Sequence, residues 1–131
     1  MSGGGFPPLQ HGLAVLVGSM IGGVARWLVG LWLNPLWPGF PIGTLAVNVV
    51  GGLLIGGIMG WLSQSPNEVM RLLLVTGFLG GLTTFSAFTY ESLNMLQRGA
   101  FGLAAAHALA HYLGALACAA IGFKLVTHWL A

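Results

Sequence analysis

An all-α membrane protein of four transmembrane helices is the fold class this sequence predicts, and three observations predict it. Of its 131 residues, 56% are hydrophobic and only 5% are charged, whereas a soluble domain carries about a quarter charged residues. Mean hydropathy is +0.90. The apolar residues fall into four runs of about 20 residues each, enough for a helix to cross a hydrocarbon core of about 30 Å. Four cations (Arg26, Arg71, Arg98, Lys124) and two anions (Glu68, Glu91) cannot solvate a globular surface of this size. A net charge of +2, scattered along the chain, offers no basic patch for nucleic acid. One cysteine, Cys118, excludes an internal disulfide.

Residues 1–11 are expected to form a flexible N-terminal arm, and residues 12–131 a single four-span domain. The opening MSGGGFPPLQ has neither a basic n-region nor a small-residue cleavage site, so it does not read as a cleavable signal peptide. Span one is expected over Gly12–Leu33, stopped by NPLWPGFP, whose prolines cannot continue a helix. Span two follows over Ile42–Leu62 and closes at SQSPNE. Span three is expected over Val69–Met95, ended by QRG, and span four over Phe101–Trp129. Trp32, Trp37, Trp61 and Trp129 lie near the expected ends, where indoles favour the interface.

With four spans, Glu68, Arg71 and Lys124 share one side and Arg98 lies on the other, with Arg26 inside or near the end of span one. Orientation follows the excess of Lys and Arg in short loops. Here the excess is about one residue, so the chain has little to fix its direction of insertion. An antiparallel homodimer of oppositely inserted copies is therefore plausible, and a four-helix subunit alone gives a pathway little wall. Ser19, Gly22, Gly23 and Arg26 share a face, and Gly52, Gly56 and Gly60 recur at every fourth residue. Small residues at that interval let helix backbones approach closely in lipid.

Polar groups inside the spans carry the chemistry. Thr44 and Asn48 lie four apart on one helical face. Asn48 either joins two helices by hydrogen bonds or offers its N–H groups to a passing anion. Arg26 either snorkels to the interface or faces a vestibule. In GFLGGLTTFSAFTYE, Gly77–Glu91, glycine and β-branched threonine both disfavour helix, and a break is expected around Gly80–Thr84. Unwound backbone at membrane depth survives where protein or a wet cavity satisfies it, and its carbonyls suit a small hard cation. Phe85 and Phe88, three apart, point the same way. They are either packing residues or a pair of positive ring edges able to hold an anion without trapping it. His107 and His111 stand i, i+4; with no Cys, Asp or Glu at ligand spacing beside them, a polar stripe along a pathway is favoured over a metal site. Glu91 is expected near an interface, paired or protonated, with proton coupling as the lesser option.

Three stretches, GGVAR (Gly22–Arg26), GTLAVNVVGG (Gly43–Gly52) and GFLGGLTTFSAF (Gly77–Phe88), resemble in order the signature stretches of the Fluc (CrcB) family of small bacterial fluoride channels. The resemblance covers essentially the whole chain. It implies an antiparallel, dual-topology homodimer with two pores in the bacterial inner membrane. It implies that Asn48 donates to fluoride, that Phe85 and Phe88 contact the ion by their ring edges, and that Thr84, Ser86, His107, His111 and Arg26 belong to the ion pathway. It further implies a structural Na⁺ at the dimer interface, held by the backbone carbonyls of Gly80 and Thr83. Ala87 stands where the family commonly has threonine, and His107 and His111 stand about where members often carry a tyrosine and a serine. Because imidazole changes charge near pH 6.5, a mild acid sensitivity of conduction is expected.

Other classes fit less well. A small dual-topology proton-coupled exporter needs a carboxylate buried in span one, and span one has none. A purely structural membrane protein would use every polar residue as helix glue and pass no ions. An enzyme lacks a nucleophile with a neighbouring base and lacks paired carboxylates.

Overall fold

The computed structural model describes residues 4–131 and is helical throughout its ordered elements. Four stretches are long and apolar enough to cross a membrane: Leu9–Leu36, Ile42–Gln64, Glu68–Gln97 and Phe101–Leu130. All four expected spans are present. The first helix, α1, runs Leu9–Leu33, so Leu9, Gln10 and His11 of the expected arm are helical. Pro8 precedes them, and proline is tolerated there because the first helical N–H groups have no intrahelical partner anyway. Residues 1–3 of the arm lie outside the described residues.

A short 3₁₀ turn, Asn34–Leu36, leads from α1 toward α2, Ile42–Gln64. The Asn34 carboxamide oxygen accepts from the backbone N–H groups of Gly43 and Thr44 at 2.8 and 3.1 Å, satisfying two donors at the start of α2. Asn67 does the same for the third span, accepting from Met70 N–H at 3.1 Å.

The third span is assembled from several pieces. It opens with α3, Glu68–Arg71, then a π-helical stretch, Leu72–Leu79, and then α4, Gly80–Leu82. The π-helix was not legible in the sequence. Thr83 and Thr84 are extended, with φ/ψ of −84/155° and −147/115°, and α5 begins at Phe85 and runs to Gln97. The departure from helical backbone is thus confined to the two threonines, and Gly80–Leu82, expected to share it, are helical. The last helix, α6, spans Phe101–Leu130 after a turn in which Gly99 takes a φ of 75°, a conformation only glycine adopts at no steric cost.

Close backbone approach decides which spans pair. A Cβ on Gly52 or Gly56 of α2 would be driven into the Ala115 or Ala119 backbone of α6, and one on Gly122 of α6 into the Leu53 carbonyl of α2. Gly18 and Gly22 of α1 meet the backbone of Leu73, Gly77 and Phe78 in the same way. The four-residue glycine repeat therefore packs helices, as expected, and gathers the spans into two tight pairs, α2 with α6 and α1 with the first part of span three. Val47, Leu79 and Leu82 form a buried apolar cluster between the pairs. Most large apolar side chains of α1, among them Leu13, Leu16, Met20 and Trp27, are exposed, the expected state for a surface solvated by lipid.

Candidate functional site

The interruption at Thr83–Thr84 is held by one side chain of α2. Asn48 Oδ1 accepts from Thr84 N–H at 2.8 Å, and Asn48 Nδ2 donates to the Thr84 carbonyl at 3.0 Å. The carboxamide gives Thr84 N–H an acceptor in place of the Gly80 carbonyl it would reach in a continuous helix, while Thr83 N–H keeps its helical partner, the Leu79 carbonyl, at 2.9 Å. Thr84 then caps α5, its Oγ1 accepting from Ala87 N–H at 3.1 Å. Two carbonyls thereby lose the donors a continuous helix would give them. The N–H four residues beyond Gly80 goes to Asn48, and the one four residues beyond Thr83 goes to Thr84 Oγ1. A third carbonyl, that of Gly81, accepts from Arg26 Nε at 3.0 Å.

From α5 and α6 a second set of polar groups converges on the same place. Glu91 Oε2 accepts from Thr44 Oγ1 at 2.5 Å, and Glu91 Oε1 lies 3.0 Å from His107 Nε2. Ser92 Oγ lies 3.0 Å from His107 Nδ1. A carboxylate accepting on both oxygens fits Nε2–H donation by His107, whose Nδ1 then accepts from the Ser92 hydroxyl. His107 is fully buried and His111 is 5% exposed. Asn48 uses its second N–H on His111 Nδ1 at 3.0 Å. His111 Nε2 is buried and has no hydrogen-bond partner among the described residues.

The aromatic rings border this cluster. Phe88 stacks on His107 (centroids 4.9 Å, planes 12° apart) and tilts against His111 at 4.5 Å. Phe85 and Phe88 touch, with centroids 5.8 Å apart, as their spacing requires. Phe88 is partly buried, whereas Phe85 is 78% exposed in the single chain.

Two cavities flank the cluster. One, of about 470 Å³, is lined by Asn48, Thr83, Thr84, Phe85, Phe88 and His111 among others. The other, of about 390 Å³, is lined by Arg26, Asn34, Thr44, Thr84 and Glu91 among others. Thr84 borders both. The structure thus brings together Asn48, Thr84, Phe85, Phe88, His107 and His111, and puts Arg26 on the wall of the second cavity. Ser86 stays at the margin, exposed, with its Oγ 3.4 Å from Thr84 Oγ1.

Three participants were not assigned to the site from the sequence. Glu91, expected near an interface and paired or protonated, is paired, joining Thr44 to His107. It stands three residues beyond Phe88, one helical turn along the same face, and that spacing was the available signal. For Thr44 the sequence shows only a face shared with Asn48, and for Ser92 it carries no signal. Along the chain the histidine pair has no carboxylate at ligand spacing beside it. Folding supplies one, and the ligand atoms of Glu91, His107 and His111 lie within 4.8 Å of one another. The tautomer still argues against a metal there. Asn48 donates to His111 Nδ1, which puts the neutral ring's proton on Nε2, the nitrogen a metal would need bare.

Four apolar spans enclosing a polar seam, with a cavity at each side of it, define a multi-pass membrane protein built around a hydrogen-bonding interior. Residues 13–123 match the family described as CrcB-like protein, Camphor Resistance (CrcB), and the chain belongs to that family. It is 49% identical over 119 residues to a fluoride-specific ion channel FluC of Aromatoleum aromaticum, covering 89% of this chain and 91% of the relative. It is 44% identical over 113 residues to the protein of that name from Thiobacillus denitrificans, covering 85% and 91% of the two chains. An Escherichia coli protein of the same name is 44% identical over 119 residues, covering 89% and 94%.

Proposed function

We propose that this protein is a fluoride-selective ion channel of the bacterial inner membrane that lets F⁻ leave the cytoplasm passively. One observation carries the reading. In a chain up to 49% identical to proteins named fluoride-specific channels, a cavity at membrane depth is walled by Phe85, Phe88, Thr84, Asn48 and His111. Such a wall combines weak donors with ring edges and places no full positive charge beside the ion. A site of that kind can strip water from a small anion without trapping it. Arg26, at the flanking cavity, raises the local concentration of anions before they are desolvated. Fluoride entering as neutral HF from acid surroundings ionises at neutral pH, so leak down the electrochemical gradient is sufficient. The protein conducts and performs no covalent chemistry.

The working unit is an antiparallel, dual-topology homodimer with two pores. The near-balance of loop charges supports it. So does the outward side of the third span, where Thr76, Gly80 and Phe85 are exposed in the single chain; a second copy covers them and puts Phe85 inside. The interruption at Thr83–Thr84 is then the break in the third helix where two copies meet. The residues there fit a sodium ion, because the Gly80 and Thr83 carbonyls have lost their helical donors and hard cations prefer oxygen ligands. Gly80 and Thr83 of both copies would hold it, and it would supply a fixed positive charge at the dimer centre. Replacing Na⁺ by a bulky organic cation is expected to weaken the dimer on size exclusion and to slow efflux; an unchanged dimer and rate would remove the ion from the scheme.

The direct test is ion efflux from liposomes holding the purified protein. Fluoride leaves, and chloride under the same gradient does not. Equal loss of both, or loss of neither, overturns the assignment. Retention of both is also what a purely structural membrane protein would give.

A further inference from the structure

The cavity that Arg26 borders has an anionic wall as well. Glu91 lines it beside Thr44 and Thr84, and a carboxylate there repels the anion that the channel reading sends past it. Among the described residues no lysine or arginine pairs with Glu91, and Arg26 Nε is held by the Gly81 carbonyl. Glu91 meets the Thr44 hydroxyl at 2.5 Å and the His107 ring at 3.0 Å. With His107 neutral, both partners are uncharged donors, and the Glu91–His107 pair keeps one negative charge.

His107 has room for a second proton. Its Nε2–H is committed to Glu91, and its Nδ1 accepts from Ser92 Oγ at 3.0 Å. A hydroxyl both donates and accepts, so a proton added at Nδ1 requires only that the Ser92 O–H turn away and its oxygen accept. The bond from Nε2–H to Glu91 is kept, and the pair becomes neutral. The His107 ring is fully buried, but Ser92 is only half-buried, which opens Nδ1 to a proton from outside. Phe88 stacks on the ring at 4.9 Å with the planes 12° apart, and the negative face of a phenyl favours a cation there. Imidazole ordinarily takes up its second proton between pH 5 and 8.

We propose that Glu91 and His107 form an acid-operated switch on fluoride passage. With His107 neutral the carboxylate holds the anion off; with His107 protonated the pair is neutral and passage is fast. The proposal rests on the fluoride-channel reading above, and neither group has to touch the ion. The charged or titratable groups facing the pair are His111 on α6, its ring centroid 4.6 Å from that of His107, and Arg26 on α1 across the cavity. From α2 and the segment before it the pair meets only Thr44 and Phe40. His111 is not the switch, because the group facing its Nδ1 is the amide nitrogen of Asn48, which has no lone pair to offer an added proton. Acid surroundings are also where HF loads a cell with fluoride, so the switch matches conduction to the hazard.

The test is fluoride current across planar bilayers holding the full-length protein, with both solutions titrated together from pH 8 to pH 5.5. Current is the readout because HF leaking through lipid carries none, and titrating both sides makes the result independent of the direction of insertion. Wild type should pass about tenfold more current at the acid end, as removal of a nearby like charge predicts. Glu91→Gln, without a carboxylate, should be flat and near the acid level. His107→Gln keeps a donor for Glu91 but takes up no proton, so it should be flat and near the alkaline level. His111→Gln, whatever its level, should keep the wild-type slope. Wild-type current that is flat or falls in acid overturns the proposal, and so does a slope that survives in Glu91→Gln or His107→Gln. Should these variants fail to fold, magic-angle NMR of the ¹⁵N-histidine-labelled wild type in liposomes still decides. His107 should carry one ring proton at pH 8 and two at pH 5.5, and one proton throughout overturns the switch. If wild-type bilayers pass no fluoride current at any pH, the channel reading itself has failed, an outcome distinct from all of these.

Discussion

Phe85→Ile is expected to slow fluoride efflux from liposomes about ten- to a hundredfold, with elution on size exclusion unchanged and chloride still retained. Isoleucine keeps the apolar bulk and loses the positive ring edge. Fluoride at that point has shed water, and a poorly compensated ion in a low-dielectric site is costly. Removing one compensating edge at a cost of about 1–3 kcal/mol raises the barrier by one to two factors of ten. The position of Phe85 makes the test discriminating. In the single chain it is 78% exposed, so a residue merely facing lipid would tolerate isoleucine without effect. A rate within about threefold of wild type would remove Phe85 from the proposed pathway.

Gly56→Ile is expected to be the most damaging substitution outside the seam. A Cβ at Gly56 would be forced into the Ala119 carbonyl, and the neighbouring Gly52 has the same relation to Ala115. Both obstacles are backbone, which cannot rotate away as a side chain can. The two helices must separate, and overpacking of this kind costs about 1–3 kcal/mol or more. Separation of α2 from α6 would also part Asn48 from His111, which face each other across that seam at 3.0 Å. The variant should therefore elute as aggregate or unfold at a clearly lower temperature than wild type in the same detergent. Gly102→Ile is the control, since a Cβ there meets nothing within 4 Å. Equal thermal stability of the two variants would show that the α2–α6 approach has slack the geometry does not suggest.

The spans were readable because hydrophobicity and breakers act locally. A run of apolar residues ended by NPLWPGFP or SQSPNE declares both a helix and its limits, and the observed helices start and stop within a few residues of those signals. The start of α1 at Leu9 differs because nothing after Pro8 opposes helix. The π-helical stretch Leu72–Leu79 left no mark, since LLLVTGFL serves an α-helix equally well and the wider hydrogen-bond register carries no composition of its own.

Asn48, Thr84, Phe85, Phe88, His107 and His111 could be chosen from the chain alone because a polar or specially placed aromatic residue in an apolar run needs a reason. Which groups pair could not. Asn48 and His111 are 63 positions apart, and Glu91 and His107 are 16 apart on different helices. Sequence by itself determined that the chain crosses a membrane four times, where each crossing ends, and which side chains are too polar to sit there idle. Only the tertiary structure decided that Thr84's backbone orients Asn48, that Asn48 meets His111, and that Glu91 joins the seam. Burial obeys local composition, but a hydrogen bond exists only between atoms brought within about 3 Å of each other, and the glycine contacts between helices set those distances.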